Sequence, residues 1–165
     1  MNVTDMLDQS HLLVIQVLDD LPEVAWDIPG VCGQWSVKDT IAHLASYEQV
    51  IIDTLNTLSG TEPTPLLRRF ANGSAAFNDA EVEARKYQTA QQVEDAYQEA
   101  QVQSSALLAA IPAETLWKTG TMPWCGSDQC LGDFIQMMCE HTREHCAQIV
   151  RFRETHSDVT GPAEV

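Results

Sequence analysis

Residues 130–156 read CLGDFIQMMCEHTREHCAQIVRFRETH, and this stretch decides the fold class. One set of residues, largely apolar, recurs in it every three or four positions, the spacing of one face of an α-helix. These residues are Leu131, Phe134, Ile135, Met138, Thr142, Ile149 and Phe152. The stretch therefore predicts a long amphipathic helix from about Cys130 to His156.

The same periodicity predicts a first helix from about Thr4 to Leu21, with Thr4 as its N-cap and Pro22 as its stop. Between the second and third long patterns, prolines and a glycine break the chain into two shorter helical segments, 66–72 and 74–87.

The two remaining long helices are marked by capping boxes. A helix over 36–60 opens with S-x-x-D, and one over about 89–111 opens with T-x-x-Q. Strand-like alternation is scarce, so the sequence predicts an all-α four-helix bundle. We expect residues 1–156 to form one domain and residues 157–165 to be a disordered tail.

The charge balance limits the partners. Nine Lys and Arg face 24 Asp and Glu, which gives a formal net charge of −15. Nucleic acid and anionic lipid would both be repelled. The N-terminus lacks the basic region of a secretory signal, and no apolar run is long enough to span a membrane. We expect a cytoplasmic protein with a small-molecule substrate.

Five cysteines occur, an odd number in a chain of this length. Reduced thiols fit best, although Cys125 and Cys130 can form a disulfide if their loop brings them together. Cys139 and Cys146 are predicted to be small core or interface residues.

Three histidines carry the chemistry. His141 and His145 are four positions apart, so a helix projects both imidazoles from one face toward a shared metal. His43 lies at the edge of the apolar face of the second helix. Metal sites in helix bundles are built from side chains on facing helices, so His43 is the candidate third ligand. The alternative is a hydrogen-bonded inner histidine pair with no metal. His11, alone on an apolar face, is interpreted as a satisfied core histidine.

Several polar residues are candidates for proton transfer or ligand support. Glu48 lies on the apolar face of the second helix, where an apolar residue is expected. Its side chain therefore binds a neighbouring histidine, carries protons or reaches solvent. Tyr47, four residues after His43, is either a hydrogen-bond donor or a packing residue. Glu144 is a candidate base, and Gln148 a candidate partner of a ligand imidazole. Trp35 and Trp124 are expected to wall the site.

The segments WSVKDTIAHL, residues 35–44, and HTREHCAQI, residues 141–149, resemble the DinB/YfiT-like superfamily. The resemblance covers nearly the whole chain and implies an up-down-down-up bundle that commonly dimerises. It implies that His43, His141 and His145 bind a divalent metal, with zinc, nickel or iron as candidates. Some members are transferases or isomerases that use a low-molecular-weight thiol such as mycothiol or bacillithiol.

Three functional hypotheses follow. The first is a metal-dependent transferase, isomerase or hydrolase in which the metal activates a thiol or water against a small electrophile. The second is a non-catalytic metal-binding or stress protein. The third is a bundle that has kept its histidines but binds no physiological metal.

Two other metal patterns overlap the last helix. A zinc-finger-like set that joins Cys130 to His141 fails, because a helix separates these residues by roughly 16 Å along its axis. The letters H-x-x-E-H at 141–145 match an inverted zinc-peptidase motif. Only 20 residues follow His145, too few for a further ligand and a substrate cleft.

Overall fold

A computed structural model describes residues 1–161, and the described chain is all-helical, as predicted. The four long helices are α1 (Val3–Leu18), α2 (Val37–Thr57), α5 (Ala90–Ala109) and α7 (Leu131–Thr155). Shorter helices lie between and after them: α3 (Pro65–Ala71), α4 (Ser74–Ala84), α6 (Ala113–Leu116) and α8 (Ser157–Thr160). A single 3₁₀ turn covers Glu23–Ala25.

The predicted helix starts are confirmed where the signal is a capping box. The Ser36 hydroxyl accepts from the Asp39 N–H at 3.1 Å, and Asp39 accepts from the Ser36 N–H at 3.0 Å. Thr89 and Gln92 form the same reciprocal pair at the start of α5. Each box satisfies two N–H groups that a helix start leaves without partners.

The prediction for the first helix is wrong at both ends. Asn2, not Thr4, is the cap, because its side-chain oxygen accepts from the Asp5 N–H at 2.9 Å. The helix ends at Leu18 rather than Leu21, since Asp20 adopts a left-handed conformation with φ of 55°.

The four long helices pack in a ring, with α1 against α7 and α5, and α2 against α5 and α7. Apolar residues form two buried clusters. One contains Val14, Ile41, Val93 and Ile149, and the other contains Leu7, Ile51, Leu108 and Ile135. On each long helix a buried polar residue lies between the residues of the two clusters: His11, Glu48, Ser104 and Thr142. The up-down-down-up order remains a prediction.

The prediction of a disordered tail is wrong for residues 157–160. They form the short helix α8, and the Thr160 side chain is buried and donates to the Arg153 carbonyl at 3.0 Å. This hydrogen bond, seven residues back along the chain, ties the segment to the end of α7. The rest of the predicted tail, residues 162–165, lies outside the described residues.

All five cysteines are free thiols, so Cys125 and Cys130 do not form a disulfide. Cys139 and Cys146 are buried in the core, as predicted. Among residues 1–161, no helix is both long enough and apolar enough to cross a bilayer.

Candidate metal centre

Three imidazoles from two helices converge at one point. Helix α2 supplies His43, and successive turns of α7 supply His141 and His145. The Nε2 atom of His141 lies 3.1 Å from Nε2 of His43 and 3.1 Å from Nε2 of His145. Within residues 1–161, this is the only group of three or more His, Cys, Asp or Glu residues close enough to share one metal ion. The predicted convergence is confirmed.

Burial keeps these imidazoles neutral. His43 and His145 are buried, and His141 is half-buried. Burial lowers the pKa of His43 to about 3, and the nearby His141 and His145 contribute to the shift. Burial and the neighbouring His145 lower the pKa of His141 to about 4, and burial also lowers the pKa of His145. A neutral imidazole has a free lone pair, which is the form that binds a metal.

The donor set fits a divalent transition metal. Metal–nitrogen bonds near 2.0–2.1 Å in a tetrahedral site place ligand nitrogens about 3.3–3.4 Å apart, close to the observed 3.1 Å separations. Imidazole ligands suit zinc, nickel and iron alike, so the donors do not select among them. Three protein ligands leave a position for another molecule, the pattern of a reactive zinc site rather than a closed one.

Aromatic side chains surround the histidines. The Tyr47 ring stacks on His141, with centroids 4.5 Å apart and planes 22° apart, and its centroid lies 4.4 Å from that of His43. Trp35 lies 5.0 Å from His43 between ring centroids, as expected for a wall of the site. Trp124 instead packs against Phe134 and lines a surface cavity with Leu67 of α3.

The family model of the DinB superfamily matches residues 6–149, which is most of the chain. The chain belongs to the DinB superfamily. No curated protein and no solved structure matches it. The matched range contains α2 and the three histidines of the converging cluster.

Glu48 of this DinB-superfamily chain does not reach solvent. Its carboxylate is buried and lies 2.9 Å from Nε2 of His11, and the Ser104 hydroxyl donates to it at 2.6 Å. The interpretation that it reaches solvent is therefore wrong, and its histidine partner is His11, not one of the three converging residues. The sequence signal for this pair was two polar residues on apolar faces of different helices.

His11 is a satisfied core residue, as predicted. Its Nδ1 lies 3.1 Å from the hydroxyl of Ser105, which in turn donates to Asp8 at 2.8 Å. With Glu48 at Nε2, both ring nitrogens of His11 have partners, and none is left for a metal.

The other candidate residues differ in placement. Oε1 of Gln148 lies 2.8 Å from Nδ1 of His145, the contact expected from their spacing. Glu144 is exposed, one position before His145 on α7. The roles of Glu144, Tyr47 and Glu48 in proton transfer remain predictions.

Proposed function

We propose that this DinB-superfamily protein is a metal-dependent enzyme acting on a small electrophilic substrate. The observation that carries the proposal is the convergence of three neutral imidazoles, His43, His141 and His145, with Nε2 atoms 3.1 Å apart in adjacent pairs. They would hold one divalent ion, with zinc, nickel or iron as candidates. The reaction class is a transfer, an isomerisation or a hydrolysis.

When bound, the metal would supply Lewis acidity, which lowers the pKa of a thiol or water and makes it a nucleophile near neutral pH. The histidines have distinct parts in this arrangement. His43 and His145 are buried and would hold the ion from the core side. His141, Tyr47 and Trp35 are half-buried, so the site would meet solvent at these three side chains.

Proton transfer would fall to side chains near that edge. The Tyr47 hydroxyl is protonated near neutral pH, as for any tyrosine, burial raises its pKa further, and it can donate to a substrate. Glu144 is exposed and free to exchange protons with solvent. Glu48 is already engaged by His11 and Ser104, so we rank it behind these two.

The remaining features of the proposal come from the family resemblance and from charge. A low-molecular-weight thiol is the proposed co-substrate, and a homodimer in the cytoplasm is the proposed state. The net charge of −15 argues against nucleic acid and anionic membranes as partners.

The direct test is turnover by metal-loaded protein. Purified protein loaded with zinc, nickel or iron is combined with a panel of small electrophiles, each with and without different low-molecular-weight thiols. We expect turnover with at least one combination and none with the His145→Ala variant. Failure of every combination, in protein that holds one metal per chain, would contradict catalysis.

The burial of His43 and His145 favours one alternative, a non-catalytic protein whose metal is structural. A thermal melt with and without chelator separates the two. The bundle has two apolar clusters that do not include the histidines, so we expect it to stay folded without metal. Collapse of the fold on chelation would favour the structural role.

A further inference from the structure

The three converging histidines differ on the side of the ring that faces away from the cluster. Nδ1 of His145 lies 2.8 Å from Oε1 of Gln148, one turn further along α7. Nδ1 of His43 and Nδ1 of His141 are buried and have no hydrogen-bond partner in the described part of the chain. Of the three, only His145 has a hydrogen-bond partner at Nδ1 in the described part of the chain.

A neutral imidazole carries one N–H, and the partner of one nitrogen decides which nitrogen holds the proton. An amide oxygen can only accept, so Oε1 of Gln148 requires the proton of His145 to sit on Nδ1. Nε2 of His145 is then bare, and it is the atom that lies 3.1 Å from Nε2 of His141.

We propose that Gln148 is a positioning residue, which fixes the tautomer and ring orientation of His145 so that Nε2 is ready to bind metal. This role rests on the proposed metal site. Gln148 would orient only one of the three candidate ligands, His145. The rings of His43 and His141 are in contact with Trp35 and Tyr47 instead.

A plain packing role is the rival explanation, since Gln148 is half-buried. The two roles respond differently to substitution. Gln148→Leu keeps a side chain of similar size but removes the acceptor. Gln148→Glu keeps an acceptor oxygen, and a carboxylate behind a ligand imidazole raises its basicity. A positioning role therefore predicts that Gln148→Leu weakens zinc binding and that Gln148→Glu retains it.

The experiment has two readouts. Long-range ¹H–¹⁵N spectra of metal-free, ¹⁵N-labelled protein report the tautomer of each histidine. Competition with a chromophoric chelator reports zinc affinity. We expect a protonated Nδ1 and a bare Nε2 at His145 in the wild type. We expect Gln148→Leu to mix the tautomers and to weaken zinc binding by about 10- to 100-fold.

Two control variants are available. Gln148→Glu should keep the tautomer and bind zinc at least as tightly as the wild type. Gln136→Leu repeats the substitution at an exposed position of α7, where the glutamine donates to Glu140 and not to a histidine, and should change neither readout.

The outcomes separate the two proposals. A wild-type His145 that carries its proton on Nε2, or a Gln148→Leu variant unchanged in tautomer and zinc affinity, would overturn the role of Gln148 alone. A wild type that binds no zinc, nickel or iron would overturn the metal site itself.

Discussion

Two groups of histidines lie inside the same bundle, one of them His11 alone, and they differ in what their ring nitrogens contact. His11 has both nitrogens occupied, by Glu48 at 2.9 Å and by Ser105 at 3.1 Å. In the cluster of His43, His141 and His145, the Nε2 atoms face one another instead of a carboxylate or a hydroxyl. A histidine on an apolar helix face is thus a candidate metal ligand or a core residue according to whether both of its ring nitrogens already have polar partners.

The difference also separates two kinds of stabilisation. The His11–Glu48 pair joins α1 to α2. Both polar groups are buried, and their mutual contact offsets the cost of removing them from water. Among the converging histidines, only an Nε2 that carries a proton can donate to a neighbouring Nε2, so three neutral rings satisfy one another less fully than His11 and Glu48 do. The first group should therefore matter for folding, and the second for metal binding.

The largest expected effect is on metal affinity. Replacing His145 with Ala should weaken zinc binding by more than about 100-fold, because loss of a supporting hydrogen bond alone costs about 10- to 100-fold. Elemental analysis after gel filtration measures the loss. If His145→Ala retained one metal per chain with unchanged affinity, the three-histidine cluster would not be the group that binds metal.

The second effect is on folding. His11→Leu leaves the buried Glu48 carboxylate with Ser104 as its remaining partner, so we expect the free energy of unfolding to fall by about 2–4 kcal/mol. Urea denaturation measures this loss, and the metal content should stay at the wild-type value. The double variant His11→Leu/Glu48→Leu should recover part of the stability, because no buried charge remains.

A smaller effect distinguishes the two serines of the His11 group. Ser104 is buried and donates to Glu48, so Ser104→Ala should cost about 1–2 kcal/mol. Ser105 is half-buried and water can replace its hydroxyl, so Ser105→Ala should cost less than about 1 kcal/mol. If both variants lost the same free energy of unfolding in urea denaturation, the burial of Glu48 would not explain why substitutions around His11 destabilise the protein.

Local signals in the sequence were sufficient for much of the fold. The capping boxes at Ser36 and Thr89 involve residues three positions apart, so their chemistry is readable without the rest of the chain. The spacing of His141 and His145, and the position of His43 at the edge of the apolar face of its helix, likewise indicate the candidate metal centre from local pattern.

Features that depend on distant residues were not readable in this way. The end of α1 is held by Arg153, whose guanidinium donates to the carbonyls of Val17 and Asp19 at 2.8 Å each. The pairing of His11 with Glu48 requires both residues to lie at the same depth in the bundle, which periodicity along one helix does not give. The return of α8 onto α7 is a tertiary contact of the same kind.

The central claim is that three imidazoles bind one metal ion, and X-ray absorption of zinc-loaded protein tests it most directly. We expect one zinc per chain, with three imidazole nitrogens at about 2.0–2.1 Å and no sulfur. Zinc–sulfur scattering at about 2.3 Å, or the absence of bound metal, would contradict the claim.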